Sequence, residues 1–207
     1  MLKVDYKSFP AAVQSIRGNA TAINGEINAA FKAMGDCHSV WTGDRYKELV
    51  TKFNSIVDDV NSMLTLIVSN IPSTLEQIYN NYDAADHNET AKKATVVEPT
   101  KVNPIAVPGE EPLYVAGADV SNVQPYITRV VNNFDGAKGK LSAIKNQVDS
   151  LTWEGSSHTE FKSKLTTLKG KLDTAFDDIS TAFKELATQA ANAFAAAERA
   201  NNVSNVQ

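Results

Sequence analysis

Cysteine is almost absent from this sequence, and its scarcity excludes two kinds of structure. Cys37 is the only cysteine among 207 residues, so the chain cannot form an internal disulfide or build a zinc site from several thiolates. Stability must therefore come from an apolar core. The composition supports such a core, because 43% of the residues are hydrophobic and only 21% are charged.

The chain also lacks an excess of positive charge, a long hydrophobic run and a general secretory signal. Twenty Lys and Arg against 24 Asp and Glu give a formal net charge of −4, so no overall positive field gathers nucleic acid or anionic lipid. Residues 63–68, the most apolar stretch, are far shorter than the roughly 20 residues of a membrane-spanning helix. Asp5 and Lys7 stand where a signal peptide has its apolar segment. We expect neither nucleic acid as a partner nor a transmembrane segment.

Four stretches carry apolar residues at alternating steps of three and four, which predicts four amphipathic helices and an all-α fold. The first two stripes are Phe9, Val13, Ile16, Ala20, Ile23, Ile27, Ala30, Met34 and Tyr46, Val50, Phe53, Val57, Val60, Leu64, Ile67, Ile71. The third is Val123, Ile127, Val130, Phe134, Ala137, Leu141, Ile144, Val148, Leu151. The fourth is Phe161, Leu165, Leu168, Leu172, Ala175, Ile179, Ala182, Leu186, Ala190, Ala193.

Pro72 interrupts the second predicted helix, and Ser73 with Glu76 fits a capping box, so we expect a kink or a restart of the helix there. Ala187 occupies the corresponding place in the last stripe, which predicts an unbroken helix.

The halves repeat one plan, which predicts two antiparallel helix-turn-helix hairpins. We place the first hairpin at residues 1–86, a proline-rich linker at 87–118, the second hairpin at 119–200 and a flexible tail at 201–207. Because one hairpin leaves a flank of each helix wet, we expect the two to pair antiparallel in an elongated four-helix bundle, an intramolecular pseudo-dimer. Exchange of hairpins between two chains, giving a homodimer, would bury the same stripes.

The linker contains four of the seven prolines, which favours an extended conformation. It also carries apolar residues that could lie along a helical groove: Val96, Val97, Ile105, Val107, Leu113 and Tyr114.

Two tripeptides mark the breaks between helices. Each of the two tryptophans is followed two residues later by glycine, in Trp41-Thr42-Gly43 and Trp153-Glu154-Gly155. Glycine permits the positive φ that ends a helix tightly, and tryptophan covers the exposed end of a hairpin core with a large flat surface. The same tripeptide is also compatible with a purely structural turn.

An aromatic residue precedes an acid by four positions near the end of each second helix. The two pairs are Tyr79 with Asp83 and Phe194 with Glu198, and a step of four places both members on one helix face. Tyr82 with Asp86 offers a second register of the same kind. An acid at this end opposes the helix macrodipole. Helix stability does not explain these acids, whereas recognition by a partner does.

The order of helix, Trp-x-Gly turn, helix and aromatic-x-x-x-acid resembles the WXG family of small type VII secretion proteins, here present twice in one chain. The resemblance implies paired hairpins exported folded by a membrane-bound ATPase, with the aromatic-acid pair beside the opposite Trp-x-Gly turn as the signal. That places Tyr79 and Asp83 near Trp153, and Phe194 and Glu198 near Trp41. The family has single hairpins and a tyrosine where this chain has Phe194.

What the resemblance implies is a secreted substrate or co-secreted partner, cytoplasmic before export, then secreted or at the cell surface without a signal peptide. Its partners would be the export ATPase and, in addition, other Trp-x-Gly proteins. The alternative is a non-secreted bundle that serves as an adaptor, or as a chaperone for a larger secreted toxin.

No pattern of catalytic or metal-ligating residues stands out. The Glu-x-x-His pairs of di-metal bundles are missing, and Gly136 to Lys140 lacks the spacing of a phosphate loop. Cys37 and His38 are adjacent, but no third group that would orient them is identifiable. We expect no enzyme activity, cofactor or metal.

Overall fold

Helices form where the sequence places its apolar stripes. The computed structural model describes residues 5, 7–109, 120–151 and 156–200, and within them the protein is all-α, with four helical segments packed together and no strand. The bounds are α1 Phe9–Asp36 with a 3-10 turn at Cys37–Ser39, α2 Asp44–Ser55, α3 Val57–Leu64, a π-helical turn at Thr65–Asn70, α4 Ile71–His87, α5 Val120–Ser150 and α6 Ser156–Ala200.

Burial confirms the first three predicted stripes and corrects the fourth. Every residue of the first three is buried. In α6, however, Phe176 and Phe183 are fully buried, whereas Phe161, Ala175 and Ala182 are half-buried and Ala193 is exposed. The buried residues Leu168, Leu172 and Phe176 follow each other at two consecutive steps of four. Two such steps in a row depart from the alternation of three and four, so Phe176 replaces Ala175 at the next buried position.

The second helical segment is interrupted around Pro72, as predicted, but without the capping box. The π-helical turn precedes α4, in which Pro72 is the second residue, and this wider turn accommodates a proline that has no N–H. The Ser73 hydroxyl donates to the carbonyl of Ser69 at 2.7 Å, inside the helix. The predicted capping box is therefore wrong, whereas the unbroken α6 is confirmed.

Helices α1 and α5 run in opposite directions along their whole contact. Near the start of α1, Gln147 donates to the Ser15 hydroxyl. Near its end, the Ser39 hydroxyl lies 3.3 Å from that of Tyr126. The residue numbers rise in one helix as they fall in the other, so the end of α1 lies beside the start of α5.

A glycine allows α1 and α5 to approach closely at the middle of this contact. Glu26 and Lys140 form an ion pair across the two helices. A Cβ on Gly136 would lie within 2.0 Å of the Glu26 carboxylate, so any side chain there would push the carboxylate away from Lys140.

Within each half, the two helical segments are joined by specific contacts. Tyr46 of α2 donates to the carbonyl of Met34 at 3.2 Å, and Arg17 of α1 pairs with Glu76 of α4. We call α1 with α2–α4 the N-terminal pair. Helices α5 and α6 form the C-terminal pair, in which Lys138 Nζ lies 2.6 Å from Asp177 Oδ1. Helix α2 packs on α6 and so closes the core.

Aromatic rings fill the middle of this core. Phe134 of α5 stacks on Phe176 of α6 with centroids 4.1 Å apart, and on Phe53 of α2 at 6.2 Å. Phe53 also meets Phe183 edge to face at 6.4 Å. One continuous cluster therefore contains side chains from both pairs.

The described part of the linker, residues 88–109, has no helix but lies against the N-terminal pair. Val102 is buried and Ile105 half-buried. Val96, Val97 and Val107 are exposed. The prediction that apolar linker residues lie along a helical groove is therefore confirmed for Ile105 and wrong for Val96, Val97 and Val107. Val102 was missed, and Leu113 and Tyr114 lie outside the described residues. None of the described helices is long and apolar enough to cross a membrane.

Candidate functional site

The first Trp-x-Gly turn is part of the shared core. Trp41 is only 1% exposed, and its ring stacks on Phe183 of α6 with centroids 6.2 Å apart and planes at 12°. Its other neighbour is Tyr46, edge to face at 5.7 Å. The tryptophan of the N-terminal pair is thus inserted against the C-terminal pair, and the turn contributes directly to the packing of the two.

Gly43 has the backbone conformation that its position in the motif predicts. Its φ is +95° and its ψ −177°, a region that side chains rarely adopt. It precedes α2, and its carbonyl accepts a hydrogen bond from Lys47 N at 3.1 Å. The glycine therefore begins the second helix, and the prediction that it ends the first helix is wrong.

Replacing Gly43 with alanine should lower the free energy of unfolding by about 1–3 kcal/mol, because a Cβ is strained at this φ and ψ. Gly25→Ala is the matched control. Gly25 lies within α1, and nothing lies within 4 Å of an added Cβ, so alanine there should raise the free energy of unfolding by about 0.5–1 kcal/mol. Urea unfolding measures both, and shifts of the same sign would contradict the assigned role of Gly43.

The second turn, with Trp153 and Gly155, lies outside the described residues. Whether Tyr79 and Asp83 lie beside it, as the resemblance implies, remains a prediction. Tyr79 is half-buried and stacks on Phe9 at the start of α1, with ring centroids 6.1 Å apart. Its ring is therefore held by the core of the N-terminal pair.

Asp83 is accessible and interacts with a histidine one turn later. Its side chain is 41% exposed, and Oδ1 lies 3.5 Å from Nδ1 of His87. The same nitrogen lies 2.8 Å from the carbonyl oxygen of Asp83. The pKa of His87 is raised, first by this hydrogen bond to the carbonyl and then by the Asp83 carboxylate. Asp83 therefore presents a carboxylate to solvent beside a ring that is charged at mildly acidic pH.

Asp83→Asn should lower the pKa of His87 but leave it above its ordinary value of 6.5, because the backbone carbonyl remains. Since the folded pKa lies above the unfolded one, the contribution of His87 to stability is fully present below the unfolded pKa and is lost as the pH rises through the folded pKa. An NMR titration of the His87 ring measures the shift. An unchanged pKa in the variant would contradict the pairing.

The second aromatic-acid pair lies far along α6. Phe194 is 37% exposed, residues 192–197 are all exposed, and the side chain of Glu198 is outside the described part. Trp41 contacts Phe183, and the eleven residues from there to Phe194 span roughly 16 Å of helix. Phe194 therefore lies about three helical turns past the ring that packs on Trp41, and its role in a second signal stays a prediction.

The neighbouring cysteine and histidine do not form an activated thiol. Cys37 is fully buried, and burial raises the pKa of its thiol to about 12, so the thiol is protonated at neutral pH and is a poor nucleophile. Among the described residues, no three histidine, cysteine or acidic side chains lie close enough to hold a metal ion.

Asparagine side chains bind the backbone of the linker, and the sequence did not predict these contacts. Residues 92–105, which we call the strap, lie between α1 and α2–α4. Three asparagine side chains each accept from the N–H and donate to the carbonyl of one strap residue: Asn24 with Thr100, Asn61 with Val102 and Asn54 with Ile105. The available signal was asparagine inside a predicted helix, where it is a poor helix former, one position after a core residue.

An open apolar groove lies on another side of the protein, between α3 and the first half of α6. Its volume is about 1080 Å³, and its lining includes Met63, Leu66, Leu168 and Ile179. Leu66, in the π-helical turn, is 42% exposed. Met63, Leu168 and Ile179 are buried, so Leu66 is the one of these four side chains that is exposed at this surface.

Comparisons of the chain with protein-family models, with curated proteins and with solved structures found no match.

Proposed function

We propose that this protein is a secreted substrate or co-secreted partner of a type VII secretion system and that it acts by binding rather than by catalysis. The observation that supports this most is the position of Trp41. Trp41 packs on Phe183 of the opposite helix pair, and this contact supports the paired hairpins that the resemblance implies. Export follows a signal-peptide-independent route from the cytoplasm to the medium or the cell surface.

In this proposal the N-terminal and C-terminal pairs are the two hairpins of an intramolecular pseudo-dimer, antiparallel within an elongated bundle. The opposed directions of α1 and α5 support this arrangement. Fusion makes the pairing intramolecular, so the hairpins meet at a high effective concentration and need no second polypeptide.

The export ATPase is proposed to bind the face of α4 that carries Tyr79 and Asp83. Tyr79 is held by Phe9, and the Asp83 carboxylate is accessible, so one side chain is rigid and the other is available to a basic group. The exposed Phe194 and the following Glu198 form the second signal on α6.

Secretion from a type VII-competent host tests the signal. Tyr79→Ala and Asp83→Ala should each remain in the cells while the wild type reaches the supernatant. Tyr82→Ala and Asp86→Ala are matched controls, because they remove the same groups in a neighbouring register, and they should be secreted normally. Circular dichroism of each purified variant verifies its fold. Equal secretion of all five proteins would falsify the assignment.

The alternative, a non-secreted adaptor or a chaperone for a larger toxin, is favoured by the groove beside Leu66. An exposed apolar side chain in an apolar groove is typical of a surface that receives a partner helix. If this role is right, the wild type stays in the cells even when a functional export machine is present.

A further inference from the structure

The strap is held by its backbone. The asparagine amides of Asn24, Asn54 and Asn61 bind both polar backbone groups of one strap residue each, at donor–acceptor distances from 2.6 to 3.0 Å. A carboxamide offers one donor and one acceptor side by side, which matches the N–H and C=O of a residue in an extended chain. Contacts of this kind do not depend on the side chain of the residue that is bound.

Further polar groups continue the same pattern toward the start of the strap. Gln77 donates to the carbonyl of Lys92 at 3.1 Å and accepts from Ala94 N at 3.0 Å. Thr95 is bound on both sides, because Glu76 accepts from its N–H at 2.7 Å and Arg17 donates to its carbonyl at 2.6 Å. The anchors therefore follow the strap along the whole groove, antiparallel to α2–α4.

The side chains of the strap contribute little to its burial. Val102 is 3% exposed and Ile105 is half-buried, whereas Val96 and Val97 are exposed. Among the aliphatic side chains of the strap, Val102 belongs to the buried core and Ile105 packs at its flank.

Two prolines occupy strap positions that donate no backbone hydrogen bond to the groove. Pro99 and Pro104 each come directly before a residue whose N–H is bound, Thr100 and Ile105 respectively. Proline restricts φ and favours an extended conformation. A segment with this spacing loses less conformational entropy when it enters the groove.

We propose that the groove between α1 and α2–α4 is a binding site for an extended, proline-containing peptide, with the strap as an occupant that a separate polypeptide can replace. The ligand has a valine and an isoleucine three positions apart with proline directly before the isoleucine, as in residues 102–105. This site does not depend on the proposed export role. The strap is tethered at both ends and competes at a high effective concentration, so a replacing segment has to bind more tightly or arrive after the strap is displaced.

A full-length chain in which residues 92–105 are replaced by an equal length of Gly and Ser tests this. The probe is a fluorescent synthetic peptide of residues 92–105, and its anisotropy measures binding. The peptide should bind the strap-replaced chain at least about 100-fold more tightly than it binds the wild type. Failure to bind, or equal binding to both proteins, would overturn the proposal. So would loss of helix content in the strap-replaced chain, because the strap would then be part of the core.

Variants of the strap-replaced chain and of the peptide distinguish recognition of the peptide backbone by asparagines from nonspecific binding of the peptide. In the strap-replaced chain, Asn54→Ala and Asn61→Ala should each weaken the peptide about tenfold or more, since each removes two hydrogen bonds. Asn132→Ala, at an exposed position of α5, should have no effect. A peptide with Val102→Asp should lose binding, whereas Val96→Asp should not. The proposal is wrong if Asn132→Ala weakens binding as much as Asn54→Ala and Asn61→Ala do. It is also wrong if the Val96→Asp and Val102→Asp peptides bind equally well.

The intact protein offers an independent measurement by hydrogen exchange. The double variant Asn54→Ala with Asn61→Ala should expose the amides of Val102 and Ile105 to exchange while α1 and α5 keep their protection. Retained protection of the strap, or loss of protection throughout the protein, would overturn the proposal.

Discussion

Trp41→Ala is expected to lower the free energy of unfolding by about 3–5 kcal/mol, the largest effect of any change in the Trp-x-Gly turn. The side chain is fully buried and contacts both pairs, through Tyr46 on one side and Phe183 on the other. Its removal leaves a cavity that two rigid helices cannot close. For a protein of this length the melting temperature should fall by roughly 10 °C.

Phe194→Ala is the control for the loss of an aromatic side chain. Phe194 is more than a third exposed, so its removal should change stability by no more than about 0.5 kcal/mol. Guanidinium unfolding followed by far-UV circular dichroism measures both variants. A Trp41→Ala protein as stable as the Phe194→Ala protein would mean that the Trp41 ring is not packed between the two pairs.

Phe134→Ala should destabilise both pairs together, by about 3–5 kcal/mol. The ring lies between Phe176 of its own pair and Phe53 of the other, so its loss removes contacts within a pair and between pairs. Because one core serves the whole protein, unfolding should remain a single transition at lower denaturant. A double-mutant cycle with Phe53→Ala should give a coupling of about 0.5–1.5 kcal/mol.

Asn132→Ala is the control for a substitution by alanine in α5 that removes no core contact. It changes an exposed residue of the same helix and should alter stability by less than about 0.5 kcal/mol. Circular dichroism and tryptophan fluorescence should follow the same unfolding curve in the wild type and in Phe134→Ala. Two separate transitions would show that the pairs fold independently and would also remove the basis for an intramolecular pseudo-dimer.

These two predictions bear on function because the proposed export partner is a paired structure. If the pairs separate easily, the face of α4 and the end of α6 no longer have a defined relation to each other. Stability variants must therefore be compared with the Tyr79 and Asp83 variants in the same secretion assay, so that unfolding is not mistaken for loss of a signal.

The helices and most of the core could be predicted from spacing alone. Burial of an amphipathic helix depends on a local period, which the first three stripes follow without exception. The fourth stripe was predicted by extending the seven-residue repeat through Ala175 and Ala182. Phe176 and Phe183 are buried instead, because filling the centre of the bundle requires large rings and the helix rotates to supply them.

The candidate site divides in the same way. The conformation of Gly43 was predictable, since it is a property of one residue and its turn. The neighbour of Trp41 was not predictable, because it depends on how far α6 extends past the first turn. The asparagines were also missed, since their partners lie 41 to 76 residues away along the chain and no local pattern connects them.

By itself, the sequence determined that this protein is built from helices, where most of their apolar faces lie and that a glycine with positive φ stands between the first two helical segments. These properties depend on a period of 3.6 residues and on the allowed values of φ. Only the tertiary structure decided that Trp41 packs on Phe183 and that asparagines hold the strap by its backbone. Both depend on the axial offset between packed helices, which is set by the shapes of many side chains at once and is not encoded in any single segment.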